Sequence, residues 1–181
     1  MPTTDLSSHY FDLFGLPVCY DVDPQVLAAR YRELQRIVHP DKFAGGTDAE
    51  RRSSVQMAAR INEGFRVLKD PLDRARYLLE LKGVALDDTS SAVDPAFLME
   101  QMELREAMAE VRDSADPHRA LQRVSEDIAA RKRQITDNMA RLLDEDDEAS
   151  LQRAQDETRK LQFFRRLEEE LDALDEELAG F

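Results

Sequence analysis

An all-α fold in two parts is predicted for this chain by three features of its sequence. Runs of alternating Val, Ile and Thr that would make strands are absent, and only six Gly occur in 181 residues. Four Asp-Pro pairs, Asp23-Pro24, Asp70-Pro71, Asp94-Pro95 and Asp116-Pro117, punctuate the chain. Each reads as a helix start: the carboxylate accepts orphan backbone N–H groups, and proline's missing donor costs nothing at the first helical position. Between these starts, apolar residues recur at three- and four-residue spacing. An apolar content of 42% is enough for a packed core, and 35% charged residues give it a solvated surface.

A first short helix over 8–15 must stop before Leu16-Pro17. The next, over 24–38, places Leu27, Tyr31, Leu34 and Val38 on one stripe, with Arg32 and Arg36 on the far side near Gln25 and Ala29. It ends at His39-Pro40, because Pro40 has no N–H to donate and biases His39 away from helical geometry. His39 and Asp41 are thereby displayed on a loop. Thr47 with Glu50 forms a capping box ahead of a helix over 48–68, whose stripe is Ala58, Ile61, Phe65 and Leu68. The two stripes facing each other predict an antiparallel hairpin, its loop carrying His39-Pro40-Asp41. A helix over 71–81 follows. After Lys82-Gly83, the run Asp87-Asp88-Thr89-Ser90-Ser91 offers little to bury and reads as a linker. Helices over 95–112, 117–143 and 148–178 then form a three-helix bundle, with the acidic run 144–148 as the last turn. The expected division is 1–82, a linker over 83–93, and 94–181.

The net charge is −13, and residues 1–82 balance, so the whole acidic excess lies after residue 82. Such a chain is a poor polyanion binder, since phosphate neutralisation supplies most non-specific nucleic-acid affinity. Its acidic surface serves either solubility alone or the steering of basic protein partners. No apolar run is long enough to span a membrane, and the first Lys or Arg is Arg30, so a basic leader is not expected. A single cysteine, Cys19, fits a reducing compartment, with cytoplasm the expectation. Together with His9, His39 and His118 it shows no metal-ligand spacing, so neither metal nor cofactor is expected. Nucleophile, oxyanion donors and Gly-rich phosphate loop are all lacking, and the chain is not expected to be an enzyme. An acid–base pair of His39 and Asp41 is the catalytic alternative; it would need a pocket with further convergent polar groups.

The helix from Pro95 carries more apolar surface than one core face uses. Phe97, Leu104, Ala107, Met108 and Val111 share one side, while Leu98, Met99 and Met102 lie on another beside Glu103, Arg105 and Glu106. Those charges disfavour full burial of that flank, and methionines suit an adaptable contact surface. The alternative is that Leu98 and Met99 extend the bundle core. In the last helix Phe164, Leu167, Leu171, Leu174 and Leu178 run close to a coiled-coil seam. Phe163 falls at its edge, either as ordinary packing or as a border of the patch.

Tyr10-Phe11-Asp12-Leu13-Phe14-Gly15-Leu16, Tyr31-Arg32, His39-Pro40-Asp41-Lys42-Phe43, Ile61-Asn62-Glu63, Phe65, Leu68 and Asp70-Pro71 together resemble a J domain over residues 9–80. The resemblance implies that Arg32, Arg36, His39, Pro40, Asp41 and Lys42 dock on a heat-shock-type ATPase chaperone and stimulate its hydrolysis of ATP. Glu33 departs from the pattern, where many J domains are basic, and implies weaker docking on a general-purpose chaperone than on a dedicated one. Residues 97–106 (Phe-Leu-Met-Glu-Gln-Met-Glu-Leu-Arg-Glu), Arg159-Lys160-Leu161-Gln162-Phe163 and Arg76-Tyr77-Leu78-Leu79 are similar to the HscB family, J-type co-chaperones of iron–sulfur cluster assembly. This extends the resemblance over nearly the whole chain. It implies a monomer whose second domain binds the scaffold IscU, through Leu98, Met99, Met102, Glu103, Arg105, Glu106 and Phe163, and delivers it to the chaperone HscA. Met102 stands where a leucine is expected, and the Cys-rich metal segment of some relatives has no counterpart. A J-domain adaptor for another client is the nearest alternative. A plain helical oligomerisation module would leave the His-Pro-Asp loop unexplained.

Overall fold

The computed structural model describes residues 9–43, 45–85, 94–145 and 147–180, the side chains of Pro40 and Asp41 excepted. Among these residues there are seven α-helices and no strand: α1 (Tyr10–Phe14), α2 (Pro24–Val38), α3 (Asp48–Lys69), α4 (Pro71–Leu81), α5 (Pro95–Glu110), α6 (Pro117–Glu145) and α7 (Glu148–Ala179). A J domain, α1 to α4, precedes a three-helix bundle, α5 to α7. All four Asp-Pro starts cap as expected: Asp23 accepts from the Gln25 N–H (2.7 Å), Asp70 from Asp73 (2.9 Å), Asp94 from Ala96 (3.0 Å) and Asp116 from Arg119 (3.1 Å). Asp147 does the same for α7, accepting from the Ser150 N–H at 2.9 Å. Several boundaries differ from expectation: α1 spans Tyr10–Phe14 instead of 8–15, and α3 and α7 each run one residue further, to Lys69 and Ala179. α5 stops at Glu110, short of 112, and α6 runs through Glu145, so the acidic run supplies a helix end and a cap instead of an open turn. Residues 40–43, expected as loop, wind into a 3-10 turn. The expected linker sequence over 86–93 lies outside the described residues.

The hairpin of α2 and α3 closes over Leu27, Ile61 and Leu68, all buried. Tyr31 stacks on Phe65 with ring centroids 4.2 Å apart, and Asn62 Oδ1 accepts from both Tyr31 Oη (2.9 Å) and Gln35 Nε2 (2.6 Å). Helix α1 ends where Gly15 takes the left-handed conformation, φ 63°, and its N–H closes on the Asp12 carbonyl at 3.0 Å. It then lies against α3 at Gly64, where a Cβ would stand 2.9 Å from Phe14 Cε2 and 2.9 Å from Tyr10 Cδ1. Phe14 is itself buried, so its ring has little room to withdraw. Gly64→Ala gains about 1 kcal/mol of helix propensity but meets an overpacking cost of about 1–3 kcal/mol. A thermal midpoint several degrees below wild type is the expected result; a midpoint at or above wild type would show that the rings yield.

Helix α4 belongs to both halves. Leu72, Ala75, Leu78 and Leu79 are buried, and the helix packs against α3 on one side and α7 on the other. The Tyr10 N–H donates to Tyr77 Oη at 2.8 Å, tying α1 to α4. Across the junction, Arg165 of α7 pairs with Asp70 and, at 3.1 Å, with Asp73, which also receives Arg66 at 2.5 Å. Gln155 Nε2 donates to the Ala85 carbonyl at 2.9 Å. The junction between the two halves is therefore apolar along α4 and is bordered by a partly buried ion network.

In the bundle, α6 and α7 make a long antiparallel hairpin on which α5 lies. Ile128, Met139, Leu161, Phe164 and Leu167 are fully covered. Lys132–Glu168 (2.6 Å), Arg131–Glu100 (2.7 Å) and Arg112–Glu177 (2.6 Å) pin the three helices along the rim.

Candidate protein-docking surfaces

At the end of α2 the local structure is set by competition for hydrogen bonds. Val38 is the last helical residue and is buried; His39 turns out of the helix (φ −55°, ψ 128°) and is exposed. The Lys42 N–H then bonds the His39 carbonyl at 3.0 Å, which makes the 3-10 turn. The Val38 carbonyl is met instead by Ser54 Oγ of α3, at 2.8 Å. Beyond the turn, the Gly46 N–H bonds the Phe43 carbonyl at 2.9 Å. The capping box then closes, with the Thr47 N–H on Glu50 Oε2 (2.7 Å) and the Glu50 N–H on Thr47 Oγ1 (3.3 Å). The Thr47 N–H, and next its hydroxyl, hold the Glu50 carboxyl below the usual carboxylate range. Both roots of the loop are thus fixed by α3.

Arg32, Arg36 and Lys42 are exposed, as is His39 between them in sequence. Glu33, the residue expected to weaken this basic face, pairs with Arg30 at 3.2 Å, so its charge is offset one helical turn away from Arg36. A cavity of about 330 Å³ does occur in the protein, but it lies between α5, α6 and α7, lined by Asp94, Phe97, Gln101, Arg141 and Lys160 among others. None of its lining comes from the His39 hairpin, so it supplies nothing to an acid–base pair there.

The second surface is on α5. Phe97, Leu104, Met108 and Val111 are buried, whereas Leu98, Met99 and Met102 are 50%, 64% and 65% exposed. Glu103, Arg105 and Glu106 are exposed beside them. Leu98 and Met99 therefore do not extend the core. Phe163 differs from the other three apolar residues assigned here, for it is half-buried. Its ring packs edge-on to Phe97 (5.6 Å) and Phe164 (5.4 Å), and the Arg105 guanidinium stands 5.9 Å above it. Arg105 also reaches Glu170 at 3.5 Å. Phe163, expected at the stripe's edge as either packing or border, serves as both. Sequence reading missed Ser54 and Arg165, whose partners lie 16 and 95 residues away. The two surfaces sit on different halves of the fold, with α4 between them in sequence.

Among the described residues no cluster of three or more His, Cys, Asp or Glu is arranged for a metal ion, and no helix is long and apolar enough to cross a membrane. Burial, then Asp144 and Asp21, push the Cys19 thiol up, away from a reactive thiolate.

Residues 93–172 match the family model described as the HSCB C-terminal oligomerisation domain. The Co-chaperone protein HscB homolog of Shewanella baltica (strain OS195) is 43% identical over 171 residues, covering 94% of this chain and 98% of the relative. That of Shewanella sp. (strain MR-4) is 44% identical over the same extents. Among solved structures, the chaperone HscB from Vibrio cholerae superposes with a TM-score of 0.84 at 38% identity, covering 94% of this chain and 99% of that one. Human co-chaperone protein HscB gives 0.85 at 30% identity, covering 94% and 84%.

Proposed function

Because the chain belongs to the HscB family of co-chaperones, we propose that it serves iron–sulfur cluster assembly by carrying the scaffold IscU to the chaperone HscA and stimulating that partner's ATP hydrolysis. The observation that carries this reading is the pairing, on one chain, of a His-Pro-Asp turn at the end of a basic helix with an exposed Leu98–Met99–Met102 patch on a separate bundle. Its own contribution is recognition: Arg32, Arg36 and Lys42 supply charge, and His39, Pro40 and Asp41 supply the turn. Leu98, Met99, Met102 and the exposed flank of Phe163 supply apolar contact within a charged rim of Glu103, Arg105 and Glu106. A lone Cys19 remains reduced in cytoplasm, the compartment this reading implies. A J-domain adaptor for another client shares the first surface and differs only in what the patch receives.

Steady-state ATP turnover by purified HscA, with this chain and with IscU separately and together, tests the reading. Stimulation by both together well above either alone is expected; equal stimulation when an unrelated protein replaces IscU would favour the other client. Charge governs the first surface. Arg32→Glu with Arg36→Glu is expected to raise the concentration of co-chaperone needed for half-maximal stimulation by at least tenfold. Wild-type docking should weaken with added salt, since exposed charges are screened beyond ~8 Å at physiological ionic strength. Scaffold affinity is expected to be unchanged. Docking that ignores both salt and the double substitution would remove the electrostatic account.

A further inference from the structure

Pro40 ends α2, and the way that end is satisfied singles out a residue outside the His-Pro-Asp sequence. The Val38 carbonyl belongs to the last helical residue, one of the orphan acceptors every helix leaves at its C-terminus. Were α2 to continue, the Lys42 N–H would serve it; in the 3-10 turn that N–H is spent on the His39 carbonyl at 3.0 Å. Ser54 Oγ takes its place at 2.8 Å, from a side chain only 5% exposed. A serine within a helix ordinarily bonds its own preceding turn or solvent. Here the hydroxyl crosses from α3 to α2.

The geometry of that bond matters more than its strength. The Val38 carbonyl and the His39 N–H share one rigid peptide plane. Holding the carbonyl fixes the plane, and with it the direction in which His39 leaves the helix and the turn Pro40–Phe43 begins. We infer that Ser54 is a positioning residue for the His39-Pro40-Asp41 turn, setting its presentation to the partner chaperone without touching that partner. This rests on the reading of the turn given under the proposed function.

Three substitutions separate the hydroxyl from its volume. Ser54→Thr keeps the donor, Ser54→Val matches threonine in shape without it, and Ser54→Ala removes it without adding bulk. Each is compared with wild type, and with Asp41→Asn, in HscA ATP turnover at saturating co-chaperone, well below the melting temperature of every variant. Circular dichroism confirms folding. Maximal stimulation is expected to fall about twofold to tenfold in Ser54→Ala and Ser54→Val, the factor carried by one hydrogen bond's net contribution. Ser54→Thr is expected to restore it, and affinity for IscU is expected to stay at the wild-type value throughout. A purely structural role would lower the thermal midpoint and leave maximal stimulation intact. Should valine and threonine both fail to fold, Ser54→Ala decides alone. Undiminished maximal stimulation by Ser54→Ala, with Asp41→Asn inactive, overturns the inference and leaves the reading of the turn standing. An equal loss in folded Thr and Val variants also overturns it, since packing would then be the cause. An active Asp41→Asn overturns the reading of the turn and this inference together.

Discussion

Asp41→Asn is expected to abolish stimulation of the partner ATPase, a loss of at least tenfold, while the protein keeps its fold and its affinity for the scaffold. The substitution exchanges one carboxylate oxygen for an amide nitrogen at nearly constant shape, so it tests charge and acceptor capacity and little else. The backbone of residue 41 lies in the turn Pro40–Phe43, between the exposed residues His39 and Lys42, and that turn is closed by main-chain hydrogen bonds that the exchange does not touch. His39→Gln is expected to act alike. Steady-state turnover against co-chaperone concentration, with a melt of each variant, is the measurement. Full stimulation by a folded Asp41→Asn protein would mean that the turn is not what the chaperone reads.

The second large effect concerns the α5 patch. Burying one Leu or Met side chain at an interface contributes about 1.5–3 kcal/mol. Truncating Leu98, Met99 and Met102 together to Ala should therefore weaken scaffold binding by well over tenfold, a factor equal to ~1.4 kcal/mol. All three side chains are at least half exposed, so the thermal midpoint should barely move. Had they been core, each truncation would cost about 2–5 kcal/mol of stability. Phe163→Ala is the instructive contrast. Its ring supports Phe97 and Phe164 as well as bordering the patch, so both affinity and stability are expected to fall. Isothermal titration with IscU and a thermal melt decide. A large drop in midpoint for the triple variant with unchanged affinity would turn the patch back into packing.

Helix starts were legible in the sequence because their causes are local. Asp23, Asp70, Asp94 and Asp116 each satisfy an N–H two or three residues away, and Thr47 with Glu50 does so reciprocally. The buried stripe of α7, Phe164 through Leu174, was legible for the same reason that a helical period fixes a face. The exposure of Leu98 and Met99 followed from the charges sharing their flank. Other features depend on elements far apart in sequence. Gly64 looks like an ordinary weak point in a helix until the rings of Tyr10 and Phe14 are seen filling the space its missing Cβ leaves. Arg165 is one basic residue among several until α7 brings it to Asp70 and Asp73. Ser54 carries no local signal at all, since its partner is a carbonyl on another helix. The 3-10 turn was missed because a proline that ends an α-helix says nothing about the tighter winding that can follow.

The bond from the Tyr10 N–H to Tyr77 Oη spans 67 residues and joins the first described helix to the fourth. During synthesis at about 5–20 residues per second, the amino-terminal helix waits several seconds for that partner to be made. α3, which provides its floor at Gly64, is completed only shortly before. Once that segment has left the ribosome, Phe11 and Phe14, covered in the finished protein, lack the helices that bury them, and a five-residue helix is too short to persist alone. Until α3 and α4 follow it out, the emerging segment shows its surroundings two aromatic rings that only the finished J domain covers.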